Sequence, residues 1–427
     1  MTLTKTPNKT LYCLLALFSF FAFISPLSIT FLVVLCVLVL ISPILLDDNQ
    51  LLCFWIFTSC FMSCFKFQTV FLAVLDGAMF IFIVKILLQR IKQKQNINFA
   101  YLLFGFFIIC FIYSCIVNGN AYKISQSLGI VLTIIVLFLI KNISVKNVTL
   151  YVCFGLIISS ILSLVGDASG IIYMTPFMIL DASHFRFGAY FCNINALALY
   201  CCLGQTCLLS LFFNNKLNIK KWWWLLVTIT LIGLSTFSKT FILITIFAYC
   251  LAILLGFIWS KNKKNYVKYA LILLIGLILL ILVFHDYIEL IIERFHSNYN
   301  YSGVFNSITT GRWDIWKSYL NKWSYSPLYV LFGCGITAPN INDRTPHNFF
   351  VSLLYKFGIV GIVILVASLF YIFKQFKLHK NASLYLPLIV VLLNGLTEDL
   401  SCSLYTCLPL LVAFIFIINN KNLDVEK

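Results

Sequence analysis

The sequence predicts an all-α protein, a polytopic transmembrane helical bundle with one long extracytoplasmic loop. Three observations carry that reading. Apolar residues make up 62% of the 427 residues and charged residues only 10%, where a soluble domain has about half and about a quarter. The mean hydropathy is +1.00. The apolar residues also run in unbroken stretches between short polar clusters, not in the two-residue alternation of a membrane barrel. A soluble enzyme and a disordered chain are excluded, and the apolar content matches about 12 to 14 spans of ~20 residues.

Taken in order, residues 11–25 form the first span. Lys5 and Lys9 precede it, and no small-residue cleavage site lies near Ile24, so it reads as a retained helix and not a signal peptide. Ser25-Pro26 separates it from 27–46. A short span at 51–65 follows, then 69–88, 99–117, 124–140 and 148–166, which together fill an N-terminal helical region, 1–178. A second region, 179–285, holds spans at 189–213, 223–236, 241–259 and 267–285 and carries basic residues in its outer loops. Residues 286–346 are the large extracytoplasmic loop. Region 347–427 closes the chain with spans at 350–373, 382–395 and 402–419.

The net charge is +16, from 30 Lys and Arg against 14 Asp and Glu. In a membrane chain that excess belongs to topology, and no nucleic-acid partner is implied. Basic clusters at Lys85–Lys94, Lys141/Lys146, Lys216–Lys221, Lys261–Lys268 and Lys374–Lys380 fall on every second loop. That side is cytoplasmic by the positive-inside rule, and both termini lie on it. The 16 cysteines sit almost wholly in apolar stretches with no CxxC pair. They read as small apolar side chains, with neither a disulfide framework nor a metal site. No nucleotide fingerprint is present, and no cofactor is implied.

The opposite side has a different chemistry. It holds the 167–188 loop, the turn Phe237-Ser238-Lys239, the long loop, and Glu398-Asp399, which reads as a solvated outer turn. His184, His285, His296 and His347 lie there or at its edge. Of the five arginines, Arg186, Arg294, Arg312 and Arg344 are on this side and only Arg90 is cytoplasmic. A guanidinium fork suits phosphate and carboxylate, whereas lysine suffices for topology, so the functional chemistry faces outward. Asp76, nearer mid-membrane, is open to a structural or a functional role.

Within the long loop, Thr309-Thr310-Gly311 reads as a helix start, Arg312–Trp323 as the helix and Ser326-Pro327 as its stop. Arg312, Trp316, Tyr319 and Trp323 then share one face. Arg312 beside free first-turn N–H groups makes an anion site. The aromatic face either stacks on sugar rings or lies at the membrane surface. Further on, Thr345 suits an N-cap and Pro346 the first helical position. His347 would then occupy the first turn of the next span, with its ring placed to accept a proton.

These residues resemble a known family. Thr310-Gly311-Arg312-Trp313-Asp314-Ile315-Trp316, then Pro327, Gly333 and Gly335, then Pro346-His347-Asn348 with Gly358 and Gly361, is similar to the signature of the O-antigen ligase/polymerase superfamily. Arg186-Phe187-Gly188 followed by Asn193-Ile194-Asn195-Ala196 resembles the outer-loop pattern of the polymerases. Ser238-Lys239-Thr240 stands where the family usually has Ser-Arg-Thr. Two departures are plain: Lys239 keeps the charge but loses the bidentate fork, and Ile194 replaces a proline.

The resemblance implies a metal-independent integral-membrane glycosyltransferase whose donor is an undecaprenyl-diphosphate-linked oligosaccharide. His347 and Arg312 would be catalytic, and Arg186, Lys239, Asn348, Asn195 and Trp316 substrate-binding. The implied activity is O-antigen polymerase in polysaccharide and lipopolysaccharide biosynthesis, on the outer face of the cytoplasmic (inner) membrane. The alternatives are an O-antigen ligase acting on lipid A-core, or a lipid-linked glycan transporter. Membrane lipids, a chain-length regulator and a flippase are the implied partners.

Overall fold

The computed structural model describes residues 8–61, 68–92, 132–133, 135–137, 139–140, 143–171, 177–179, 185–191, 193–214, 216–259, 289, 306, 309, 311–335, 338, 340–342, 344–375, 382–397 and 404–418. The expected spans 99–117 and 267–285 lie outside the described residues. So do the cluster Lys261–Lys268, as well as His184, His285, Arg294, His296, Glu398 and Asp399.

Regular secondary structure among the described residues is helical apart from one small hairpin and an isolated bridge between Ile341 and Arg344. Helix α1 (Asn8–Ile24) meets α2 (Ile29–Leu45) across the 3-10 turn Ser25–Leu27. Pro26 opens that turn because its ring cannot continue the preceding helix. Polar side chains start most of the others. The Asp47 carboxylate accepts from the Gln50 N–H at 2.9 Å and opens α3 (Asp48–Ser59). After α4 (Gln68–Lys92), Ser144 caps α5 (Val145–Ala168). The 167–188 loop then forms an antiparallel pair, β1 (Phe177–Ile179) and β2 (Phe185–Phe187), with Met178 opposite Arg186. Asn193 caps α6 (Ile194–Phe213) and Asn218 caps α7 (Ile219–Leu234), and α8 (Lys239–Trp259) follows. Two shorter helices follow, α9 (Arg312–Trp323) and α10 (Pro327–Phe332). The long α11 (Phe349–Gln375), α12 (Leu386–Asn394) and α13 (Leu404–Ile418) complete the order.

Helix α6 is the hub. It is predominantly apolar and nearly all of it is buried, as a helix surrounded by others must be. Helices α5, α7, α8, α12 and α13 pack around it. Among the described residues, four helical stretches are long and apolar enough to cross a membrane: Lys9–Leu27, Val145–Ala168, Ile194–Phe213 and Phe349–Ala367. Outer helices expose apolar side chains, among them Val363, Ile364, Val366 and Phe370 on α11. Such surface is costly in water and neutral against lipid tails. The protein is membrane-embedded.

Hydrogen bonds between spans fix their directions. Asn214, just past α6, donates to the Ser383 hydroxyl at 2.9 Å just before α12. Twelve residues back along α6, Cys202 interacts with Asn394 at the far end of α12 and with Thr245 on α8. The two helices are therefore antiparallel. The Gln205 amide donates to Thr230 on α7 at 2.8 Å and accepts from Thr245 at 3.1 Å. Each such bond contributes roughly 0.6–2 kcal/mol in lipid. The starts of α6 and α8 and the end of α12 consequently share one end of the bundle. The start of α11 joins them, since the Phe349 N–H donates to the Gly395 carbonyl at 2.7 Å.

Candidate functional site

Two basic clusters occupy that end. The first is built on the start of α9, whose limits are those the sequence predicts. Gly311 stands before it at φ 78. The Thr309 hydroxyl accepts from the Trp313 N–H at 3.1 Å, and the Asn306 side-chain oxygen accepts from the Asp314 N–H at 3.2 Å. Asn306 also donates to the Asp314 carboxylate. The expectation of free first-turn N–H groups is thus corrected, because Thr309 and Asn306 consume them. What remains at this helix start is the Arg312 guanidinium, which is half-buried and donates through Nη1 to the Thr397 carbonyl.

The α11 entry also differs from expectation. Asn348, not Thr345, is the N-cap. Its side-chain oxygen accepts from the Phe350 and Val351 N–H groups at 3.0 and 3.1 Å, and the helix begins at Phe349. His347 therefore precedes the helix, in a left-handed conformation at φ 45. An asparagine oxygen reaches two amides from one position, which outcompetes Thr345 three residues earlier. The His347 ring is half-buried, with Nε2 2.9 Å from the Thr345 hydroxyl.

The turn Gly395–Thr397 gathers these groups. Its three successive carbonyls accept from the Phe349 N–H, from the Asn348 amide at 3.1 Å and from Arg312. The predicted face of α9 completes the assembly. The Trp316 indole N–H donates to the Pro346 carbonyl at 2.8 Å, and the Tyr319 hydroxyl donates to the Arg344 carbonyl at 2.6 Å. The Tyr319 ring, 1% exposed, packs edge-on against Tyr355 at 4.8 Å. Between the two expected roles for this face, sugar stacking or membrane surface, the structure adds a third. Trp316 and Tyr319 hold the strand of chain that carries His347.

Two glycines lock α10 against α11. Gly358 interrupts α11 at φ 61 and Gly333 ends α10 at φ 79. A Cβ on Gly358 would lie 2.4 Å from the Gly333 nitrogen, and one on Gly333 would lie 2.5 Å from the Lys356 backbone. Only glycine fits both the backbone angles and the contact.

The second cluster surrounds the turn between α7 and α8. The Phe187 N–H donates to the Ser235 carbonyl at 3.0 Å, and Arg186 Nε donates to the Thr236 carbonyl at 2.9 Å. Ser238 accepts from the Phe241 N–H at 3.4 Å, so Lys239 is the first residue of α8. Asn195 sits in the first turn of α6, half-buried, with its N–H on the Asn193 side chain at 2.9 Å. Arg186, Lys239 and Asn195 thus lie at the same end as Arg312, His347, Asn348 and Trp316. Sequence reading missed Asn306, Thr236 and the 395–397 turn. The last two act through backbone carbonyls, which leave no mark on residue type. Among the described residues, no three His, Cys, Asp or Glu side chains gather as a metal site would require.

Fold and site together define a membrane-embedded helical protein with cationic groups and a histidine convergent at one end. Residues 224–366 match the family described as O-antigen ligase, which supports the O-antigen ligase/polymerase superfamily for this part of the chain. The matched stretch includes Lys239, Arg312, Trp316, His347 and Asn348, and stops short of Arg186 and Asn195. It supports a ligase- or polymerase-type role in O-antigen processing. No curated protein matches the chain.

Proposed function

We propose that the protein is an O-antigen polymerase of the inner membrane, with both termini cytoplasmic and the Arg312 end facing outward. It transfers a growing glycan from one undecaprenyl diphosphate to the terminal sugar of another lipid-linked repeat unit. The observation that carries the reading is the convergence of Arg312 and the His347-Asn348 pair on the Gly395–Thr397 turn. In the reaction, the bond from the anomeric carbon to the diphosphate oxygen breaks and a bond to the acceptor hydroxyl oxygen forms. The hydroxyl proton passes to His347 and the negative charge leaves on the diphosphate. Arg312, aided by Arg186 and Lys239, stabilises that charge as it develops. The Thr345 hydroxyl engages Nε2 of His347, so the proton is taken at Nδ1, with Nε2–H donating to Thr345. Asn348 and Trp316 position His347, and Asn195 lines the sugar site. A chain-length regulator and a flippase are the partners such a step calls for.

The ligase reading is favoured by one specific observation, the name of the matched family. Gene deletion in a lipopolysaccharide-producing host that has its own ligase separates the two. A polymerase leaves lipid A-core bearing a single repeat unit. A ligase leaves bare core and polymer stranded on its carrier. His347→Ala and His347→Gln should both reproduce the deletion ladder at normal membrane abundance, since a positioned base is worth roughly 10²–10⁴ in rate. Normal ladders from both would remove His347 from the chemistry.

A further inference from the structure

The opposite end of the bundle carries a groove that the glycosyl-transfer reading does not use. It lies between α1, α3, α5 and α7 and encloses about 520 Å³, within the ~300–1,000 Å³ range of ligand pockets. Its length is walled by Leu15, Phe57, Phe154 and Ile158. Asn49, Asn147 and the Tyr12–Tyr151 pair sit at its polar end. The Asn214–Ser383 tie places the start of α7, and with it Trp222 of the groove, at the end remote from Arg312.

Charge at this mouth is one-sided. Lys221 Nζ lies 5.3 Å over the Trp222 ring that forms part of the lining, and exposed Lys146 precedes Asn147. Helices α1, α5 and α7 start here without an acidic residue in their first turns. The nearby Asp47 and Asp48 are engaged elsewhere: Asp47 caps α3, and both interact with Lys85 on α4. Tyr12 and Ala16 of its lining are exposed, so the groove opens on the outside of the helix bundle.

We propose that this groove binds one anionic glycerophospholipid. An acyl chain lies along Leu15, Phe57, Phe154 and Ile158. The phosphate sits between Lys221 and Lys146, with the Asn147 amide donating to it. An apolar slot ending in amide donors and lysines matches a molecule that is chain at one end and phosphate at the other.

Native mass spectrometry of the full-length protein, equilibrated with phosphatidylglycerol, phosphatidylcholine and a polyprenyl phosphate in equal amounts, tests this. The wild type should retain one phosphatidylglycerol about tenfold or more over phosphatidylcholine, as two lysines at a lipid surface act together. Lys146→Gln with Lys221→Gln should bring that ratio close to unity, whereas Lys317→Gln at the other end should leave it unchanged. Ala16→Trp, which fills the groove from its exposed side, should abolish retention of the lipid while the thermal melting point holds. Equal retention of the two phospholipids by the wild type would overturn the proposal. So would preferential retention of the polyprenyl phosphate, or a ratio that both groove variants leave unchanged.

Discussion

The two cationic clusters are built on one device and differ in what else it holds. In each, an arginine donates to the backbone carbonyl of a turn that follows a helix: Arg186 to Thr236 after α7, and Arg312 to Thr397 after α12. Carbonyls there carry the negative end of the helix dipole, so a guanidinium is stabilised and held in one direction. The α7 turn serves Arg186 and the backbone of β2, whereas the α12 turn also carries Asn348 and the first amide of α11. Arg312 is therefore coupled in position to the histidine and Arg186 is not. One cluster is a point of charge, and the other is an assembled site.

That difference predicts unequal losses. Arg312→Ala removes the charge from the assembled site and leaves Thr397 without its donor. Polymer formation should fall by about 10²–10³, the usual cost of one transition-state donor. Arg312→Lys should recover little, because an ammonium that reaches the Thr397 carbonyl has no fork left for a diphosphate. Glycan ladders and in vitro transfer rates, normalised to membrane abundance, measure both. Equal losses at Arg312 and Arg186 would break the distinction between the clusters.

Asn348 gives the next effect. It caps α11 and holds the α12 turn through the two ends of one amide. Asn348→Asp keeps the capping oxygen and loses the donor to Leu396, while Asn348→Ala loses both. The cap is worth about 1 kcal/mol, so the alanine variant should melt lower. Both variants should lose rate, roughly tenfold to a hundredfold for a misplaced base. If the aspartate variant keeps full activity, the amide bond to the turn does not position His347.

Much of the fold was legible in the sequence because lipid imposes simple demands. Unbroken apolar runs located α1, α2, α5, α6, α8, α11 and α13 to within a few residues, and Thr309-Thr310-Gly311 located α9. The residue types of the candidate site also stand out in the sequence. Arginines and a histidine are rare in this chain, and their placement between apolar runs stands out. Three things were not legible. The β1–β2 hairpin depends on pairing across a loop that has no turn signature. The choice of Asn348 over Thr345 as cap is decided by φ 45 at His347 and by the bond to Leu396, both set by tertiary contact. The Gly395–Thr397 turn acts through backbone oxygens, and any residue offers those.

The smallest effect should come from Arg186→Lys. The lysine retains the positive charge at this end, and Lys239 stands at the start of the adjoining helix with a second. What disappears is the bond from Nε to the Thr236 carbonyl, and with it the fixed direction of the group. The β2 strand keeps its own tie through the Phe187 N–H, so the fold around the turn should hold. A diphosphate that needs charge here but little geometry would then lose only a few-fold in rate, and the loss should grow with salt as screening weakens a mobile ammonium. Arg186→Ala in the same assay should cost about tenfold, the lower end of what a single charge-assisted hydrogen bond contributes. The informative combination is Arg186→Ala with Lys239→Ala. If the two residues share the charge, the double variant should lose far more than the product of the single losses. Simple multiplication would mean that each acts alone, and this cluster would then be two separate contacts.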